Sequence, residues 1–215
     1  MQKGICFFFL LHFFYVQTSI AQSSNFSPLH GIYANGSIVS FNSYLKNNDY
    51  KKYINNSKDL AAIGYFHRIH DGAWYSWYLA AALGYKKLEY NSWDDVRQRN
   101  TYTSLSFIQP SLYLRMETTL GRTTKFFIDV GYAYCFNTAY RIISENGNTL
   151  LNDKLSNIGS FKGAGGMRLI LTEKWSLNFG IGGDFSIGKK LVLSGKSYQM
   201  VNNSLILGTS YSLVK

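Results

Sequence analysis

Cysteine is almost absent from this chain of 215 residues, occurring only as Cys6 and Cys135. With Cys6 in an expected leader, Cys135 stands alone, and an intrachain disulfide is excluded. Proline is equally scarce, at Pro28 and Pro110, so long backbone ladders meet few missing donors. Past the leader, no run reaches the 18 apolar residues that mark a spanning helix. Nor does that part contain HExxH, CxxC or a Cys/His cluster with ligand spacing. Neither a metal nor another cofactor is therefore expected, and no catalytic residue is assigned. The formal net charge is +10, but the Lys and Arg residues are scattered. Without a basic cluster interleaved with stacking aromatics, nucleic acid is not an expected partner. Such a charge favours anionic head groups and phosphates in general.

The start carries the three parts of an export signal: Lys3, the apolar run Ile5 to Val16, and a small-residue exit at Thr18-Ser19-Ile20-Ala21-Gln22. The run is too short for a spanning helix. We expect residues 1–22 to be a cleaved signal peptide and residues 23–215 to form one domain, a size that all-β barrels reach without splitting.

Aromatics are abundant, with 17 Tyr, 15 Phe and 4 Trp, and they recur with a period of two. Trp175, Leu177, Phe179, Ile181, Phe185 and Ile187 share one parity; Ser176, Asn178, Gly180, Gly182, Asp184 and Ser186 share the other. Phe126 to Asn137 and Leu205 to Leu213 repeat the pattern, which predicts strands with one apolar and one polar face. Ile108 to Glu117 alternates as well, with Pro110 calling for a bulge or a strand edge. Phe161–Leu171, Gly31–Phe41, Leu60–Ile69 and the doubly apolar Trp74–Lys87 complete eight strands.

Connections alternate in length. Three are short: His70-Asp71-Gly72-Ala73, Gly121 to Lys125, and Thr172-Glu173-Lys174. The intervening ones are long and polar: Ser43 to Asp59, Glu89 to Asn100, Ser144 to Asn157, and Lys189 to Asn203. These are read as loops, with ten strands possible if one contains a hairpin. Short turns at one end, long loops at the other and an even strand count are the pattern of bacterial transmembrane barrels. The leader, the eight alternating segments, this loop rhythm and the last segment Ser204 to Val214 resemble the small outer-membrane β-barrels of the OmpA/OmpX type. The chain departs from them by ending Tyr211-Ser212-Leu213-Val214-Lys215 rather than on an aromatic residue. The resemblance implies an eight-stranded antiparallel up-and-down barrel in the outer membrane, inserted by the barrel-assembly machinery. Lipid and lipopolysaccharide would be its surroundings, and its role would be non-enzymatic, in membrane integrity or in surface interactions of its loops with a partner still to be named.

If the apolar parity faces lipid, the other brings Arg115, Glu117, Asp129, Lys162, Arg168 and Asp184 into the lumen. They are expected to fill a narrow interior with ion pairs. Trp74, Tyr75, Trp77, Tyr85, Tyr90, Trp93, Tyr140 and Trp175 fall near strand ends, where an interfacial girdle belongs. Trp93, beside Asp94 and Asp95, is also a candidate sugar platform. Three other functions are open to such a chain. A narrow pore would use the same lumenal charges; a soluble lipocalin-like carrier would require a polar exterior; a lipid-modifying enzyme would need His67 opposite Ser76 across the Asp71-Gly72 turn. Gly183 to Lys190 approaches a phosphate loop, but Lys190 replaces the required Ser or Thr and no helix signal follows. Gly163-Ala164-Gly165-Gly166 lacks the third glycine of a dinucleotide fingerprint and is read as close strand packing.

Overall fold

The computed structural model describes residues 28–46, 51–54, 56–94, 99–119, 123–144, 146–147, 149–153, 155–187, 191–193 and 196–214. The expected leader lies outside them. The strands are β1 (His30–Lys46), β2 (Lys51–Tyr53), β3 (Asn56–Asp71), β4 (Tyr75–Asp94), β5 (Arg99–Thr119), β6 (Thr124–Ser144), β7 (Thr149–Asp153), β8 (Ile158–Ile170), β9 (Trp175–Ile187), β10 (Leu191–Leu193) and β11 (Lys196–Val214). Eight of them form a ring in the order β1-β3-β4-β5-β6-β8-β9-β11, each antiparallel to its neighbours, and β11 closes it by pairing with β1 from His30↔Val214 to Lys46↔Gln199. Closure leaves these strands without a free edge, which is the only way a sheet satisfies its backbone groups in an apolar medium.

Period-two alternation sets the two faces. Leu83 on β4, Leu112 on β5, Ile128 on β6, Ile181 on β9 and Leu207 on β11 are exposed and point outward, among some thirty large hydrophobic residues exposed around the wall. An apolar surface of this extent is not the exterior of a soluble carrier. Tight turns join the ring at one end. The Gly72 amide donates to the Tyr75 carbonyl at 2.9 Å, and Thr172 Oγ1 accepts from the amides of Lys174 and Trp175 at 3.3 and 3.0 Å.

At the other end, the segments expected to be long loops are largely strand. β4 continues to Asp94 and β5 resumes at Arg99, while β2, β7 and β10 are short strands added to β1, β6 and β11. The wall thus rises beyond its apolar band, and there the chemistry of the two faces exchanges. Lys87, Glu89 and Asn91 take the outward parity of β4, while Leu88 and Tyr90 are buried inside. With Leu45, Ile54, Leu105, Phe107, Cys135, Tyr140, Ile158, Leu193, Tyr198 and Met200 they form an apolar cluster that caps the lumen.

Two irregularities tune the ladder. β5 pairs with β6 at Ile108↔Phe136 and resumes at Ser111↔Ala133 in unchanged register. Pro110, which has no N–H, is thus accommodated by a local gap in pairing to β6 rather than by a bulge, and it keeps its partner Leu83 on β4. The bulge lies farther along, between Phe107↔Asn137 and Ser106↔Ala139, and inserts Thr138. One extra residue inverts the parity of the strand beyond it. Phe136 therefore points out, whereas Tyr140 points into the cap.

Candidate functional site: the filled lumen and its wall

Two polar clusters occupy the lumen beneath the apolar cap. Nearer the turns, Arg115 on β5 makes a two-pronged bond to Asp129 on β6, Nε and Nη2 donating at 2.6 and 2.7 Å. The two residues are directly opposed in register. The Arg115 guanidinium lies 4.5 Å from the Phe127 ring centroid, and its Nη1 is 3.7 Å from Glu117. Arg168 on β8 donates to both oxygens of Glu117 at 3.1 Å and to Ser176 Oγ at 2.8 Å. Ser176 and Ser210 hydroxyls, 2.7 Å apart, carry the chain of contacts to β11. Farther up, Lys86 Nζ donates to both oxygens of Asp184 at 2.6 Å. Gln109 Nε2 donates to the same carboxylate at 3.3 Å, and Gln109 Oε1 accepts from Lys162 Nζ at 2.8 Å. Arg115 thus pairs with the neighbouring strand, Arg168 reaches Glu117 past β6, and Lys86 on β4 reaches Asp184 on β9 across the lumen, so each of these buried cations meets a carboxylate.

Aromatic rings and glycines close the remaining space. Phe66 on β3 lies opposite Gly31 on β1, and Tyr33 on β1 lies opposite Gly64 on β3. A Cβ at Gly31 or Gly64 would run into the opposing ring. Tyr33, Phe66, Tyr78, Ala80 and Ala82 pack as one buried group. What space remains includes a cavity of about 70 Å³ lined by Tyr33, Asn35, Tyr113, Asp129 and Lys162 among others.

No protein-family model matches the sequence, and no curated protein matches it. Solved structures do. Neisserial surface protein A is 12% identical, with 86% of this chain and 97% of that one covered and a TM-score of 0.53. Ail, the attachment invasion locus protein of Yersinia pestis, is 12% identical over 85% and 96% of the two chains, with a TM-score of 0.47. The outer membrane protein OprG from Pseudomonas aeruginosa is 12% identical over 86% and 95%, with a TM-score of 0.43.

This is the fold of a small outer-membrane β-barrel.

All six charged residues singled out from the sequence point into the barrel, with Arg115, Asp129, Glu117 and Arg168 nearer the turns and Lys162 and Asp184 farther up. Lys86 and Gln109 complete the second group. Gln109 stands on the polar parity of β5 and was legible there. Lys86 was hidden in a segment apolar on both parities; its signal is that it shares the inward parity of Tyr78, Ala80 and Ala82.

The aromatics divide. Trp74, Tyr75, Tyr85 and Trp175 are exposed on the wall of the barrel, and Trp77 is half-buried beside Tyr75, with ring centroids 6.2 Å apart. Tyr140 and Tyr90 are corrections to the girdle. Both are buried in the cap, Tyr140 because the Thr138 bulge turns it inward and Tyr90 because the inward parity of β4 continues above the band. The Trp93 side chain lies outside the described residues. The enzymatic geometry is also corrected: the register sets His67 opposite Leu79, and Ser76 opposite Asp71. His67 is exposed on the outer wall, whereas Ser76 is buried and donates to Asp71 at 2.7 Å. A base and a nucleophile on opposite faces of one sheet cannot share a proton.

Proposed function

We propose that the chain resides in the outer membrane as a non-enzymatic, non-conducting barrel whose working surface is the wall and rim above its apolar band. The observation that carries this reading is the division of the interior: two clusters of ion pairs occupy the lumen beneath a packed apolar cap that closes it toward the extended end. An eight-stranded ring has little interior to spare, and the described side chains of this size support a closed rather than a conducting lumen. The narrow-pore reading would place these charges along a wet channel, but here each is bonded to an opposite charge, on the adjoining strand for Arg115 and Asp129 and across the lumen for Lys86 and Asp184. This reading sets the short-turn end, which carries His30 and Val214, toward the periplasm and the tall polar rim outside, in keeping with the short periplasmic turns of bacterial barrels.

Fractionation of the expressed chain tests the location: recovery in the outer membrane, with a mobility shift between boiled and unboiled samples, is the expected result. Solubility without detergent would refute it. Addition of the purified barrel to a planar bilayer tests closure, with an unchanged baseline expected and discrete single-channel steps refuting it.

A further inference from the structure

On the outer wall, just above the apolar band, β4, β5 and β6 form a depression of about 480 Å³ whose lining includes Tyr85, Lys87, Glu89, Ser104, Ser106 and Arg141. The ladder fixes its layout. Tyr85, Ile108 and Phe136 form one outward rung, all exposed and apolar or aromatic. The next outward rung is Lys87, Ser106 and Ala139, and the one above it Glu89, Ser104 and Arg141. Lys58 holds the register position beside Lys87 on β3. Ser104 and Ser106 point outward yet are each only 8% exposed, because they line the floor of the depression. Among the described residues neither hydroxyl has a hydrogen-bond partner, whereas Lys87 pairs with Glu89 and Tyr102 hydrogen-bonds the same carboxylate. Two sunken, unpartnered donors between an ammonium and a guanidinium form a recess for a polar anionic group.

We propose that this recess binds the phosphorylated disaccharide head group of an outer-leaflet glycolipid of the lipid A class. The inference rests on the outer-membrane reading above and assigns a place to the lipid partner. Arg141 presents a planar fork suited to a phosphate, and Lys87 supplies a second, point-like cation. The Ser104 and Ser106 hydroxyls donate to phosphate or sugar oxygens. Glu89, already held by Lys87 and Tyr102, faces sugar hydroxyls better than a second phosphate. What selects a lipid over a free anion is the rung below: acyl chains attached to the bound head group would run down over Tyr85, Ile108 and Phe136. The volume falls in the range of pockets for small ligands and suits a sugar phosphate.

Native mass spectrometry of the purified barrel in detergent tests this, with diphosphoryl lipid A, dephosphorylated lipid A and inorganic phosphate as probes. We expect one tightly held diphosphoryl lipid A per barrel. Affinity should fall about tenfold or more in the Lys87→Ala/Arg141→Ala double variant and several-fold in Ser104→Ala/Ser106→Ala, the scale of lost charge-assisted bonds. Arg141→Lys should keep part of the affinity, and Arg68→Ala, at the turn end, should keep all of it. Equal binding of the dephosphorylated lipid, displacement by inorganic phosphate at matching concentration, or indifference to the double variant would each overturn the proposal. An unboiled-gel mobility control on every sample separates a folded barrel that does not bind from a chain that is not a membrane barrel at all.

Discussion

Replacing Asp184 with Asn probes the upper lumenal cluster with almost no change of shape. The Asp184 side chain is 1% exposed and that of Lys86 0%, and Lys86 Nζ lies 2.6 Å from both carboxylate oxygens. The amide keeps a hydrogen-bond acceptor but removes the charge, so a buried ammonium loses its counterion. Breaking one side of such a pair costs about 3–5 kcal/mol, because the remaining charge is still desolvated. Lys86→Met should cost a similar amount by leaving the carboxylate. Removing both charges together, as Lys86→Met/Asp184→Leu, leaves only the half-buried Lys162 beside the site, still bonded to Gln109 Oε1, and buried pairs replaced by apolar groups of like volume are often neutral. The double variant should therefore be more stable than either single one. Equilibrium urea unfolding from detergent micelles, followed by the fluorescence of the four tryptophans, measures each free energy. Costs below about 1 kcal/mol in both single variants, or a double variant whose loss equals the sum of the two, would refute the claim that these charges are desolvated and mutually dependent.

Other substitutions test the wall and the cap. Tyr140→Ala should cost about 3–5 kcal/mol, as expected for a buried aromatic, while Tyr132→Ala costs much less in the same assay; Tyr140 is 5% exposed and Tyr132 47%. Leu83→Arg sets a charge on the outward face, where Leu83 is 59% exposed. Refolded into lipid vesicles it should lose about 2–4 kcal/mol, the cost of an arginine near the bilayer midplane. Gly64→Val should lower the unfolding midpoint, because its side chain must displace the Tyr33 ring; Ala in place of Tyr33 in the same chain should recover part of the loss.

The fold was legible wherever solvent and lumen differ in one simple way. Between Trp175 and Ile187 the outside is apolar and the inside polar or small, and strict alternation results. The lumenal charges were legible for the same reason, since Arg115, Asp129 and Asp184 interrupt no apolar parity. Above the band the outside becomes water and the inside becomes an apolar cap. Lys87-Leu88-Glu89-Tyr90-Asn91 keeps its period of two but with the faces exchanged, so a polar stretch that reads as loop is strand. Tyr140 shows a second limit: a single inserted residue, Thr138, inverts the parity, and nothing in Phe136-Asn137-Thr138-Ala139 announces it. The recess on the outer wall was hidden differently. Its residues come from three strands, and only the register brings Lys87, Ser104 and Arg141 together.

At the centre of this account is a wall that faces lipid on one parity as far as Phe136 and exchanges its faces at Thr138. Spin labels placed singly from Phe126 to Ile142, in a chain with Cys135 replaced by Ser and refolded into lipid vesicles, read this directly through collision with oxygen and with a water-soluble nickel chelate. We predict oxygen maxima at 128, 130, 132, 134 and 136, minima at the positions between them, and restricted access to both reagents at 140. Uniform access of the nickel chelate from 126 to 136, or an oxygen maximum at 140, would contradict it.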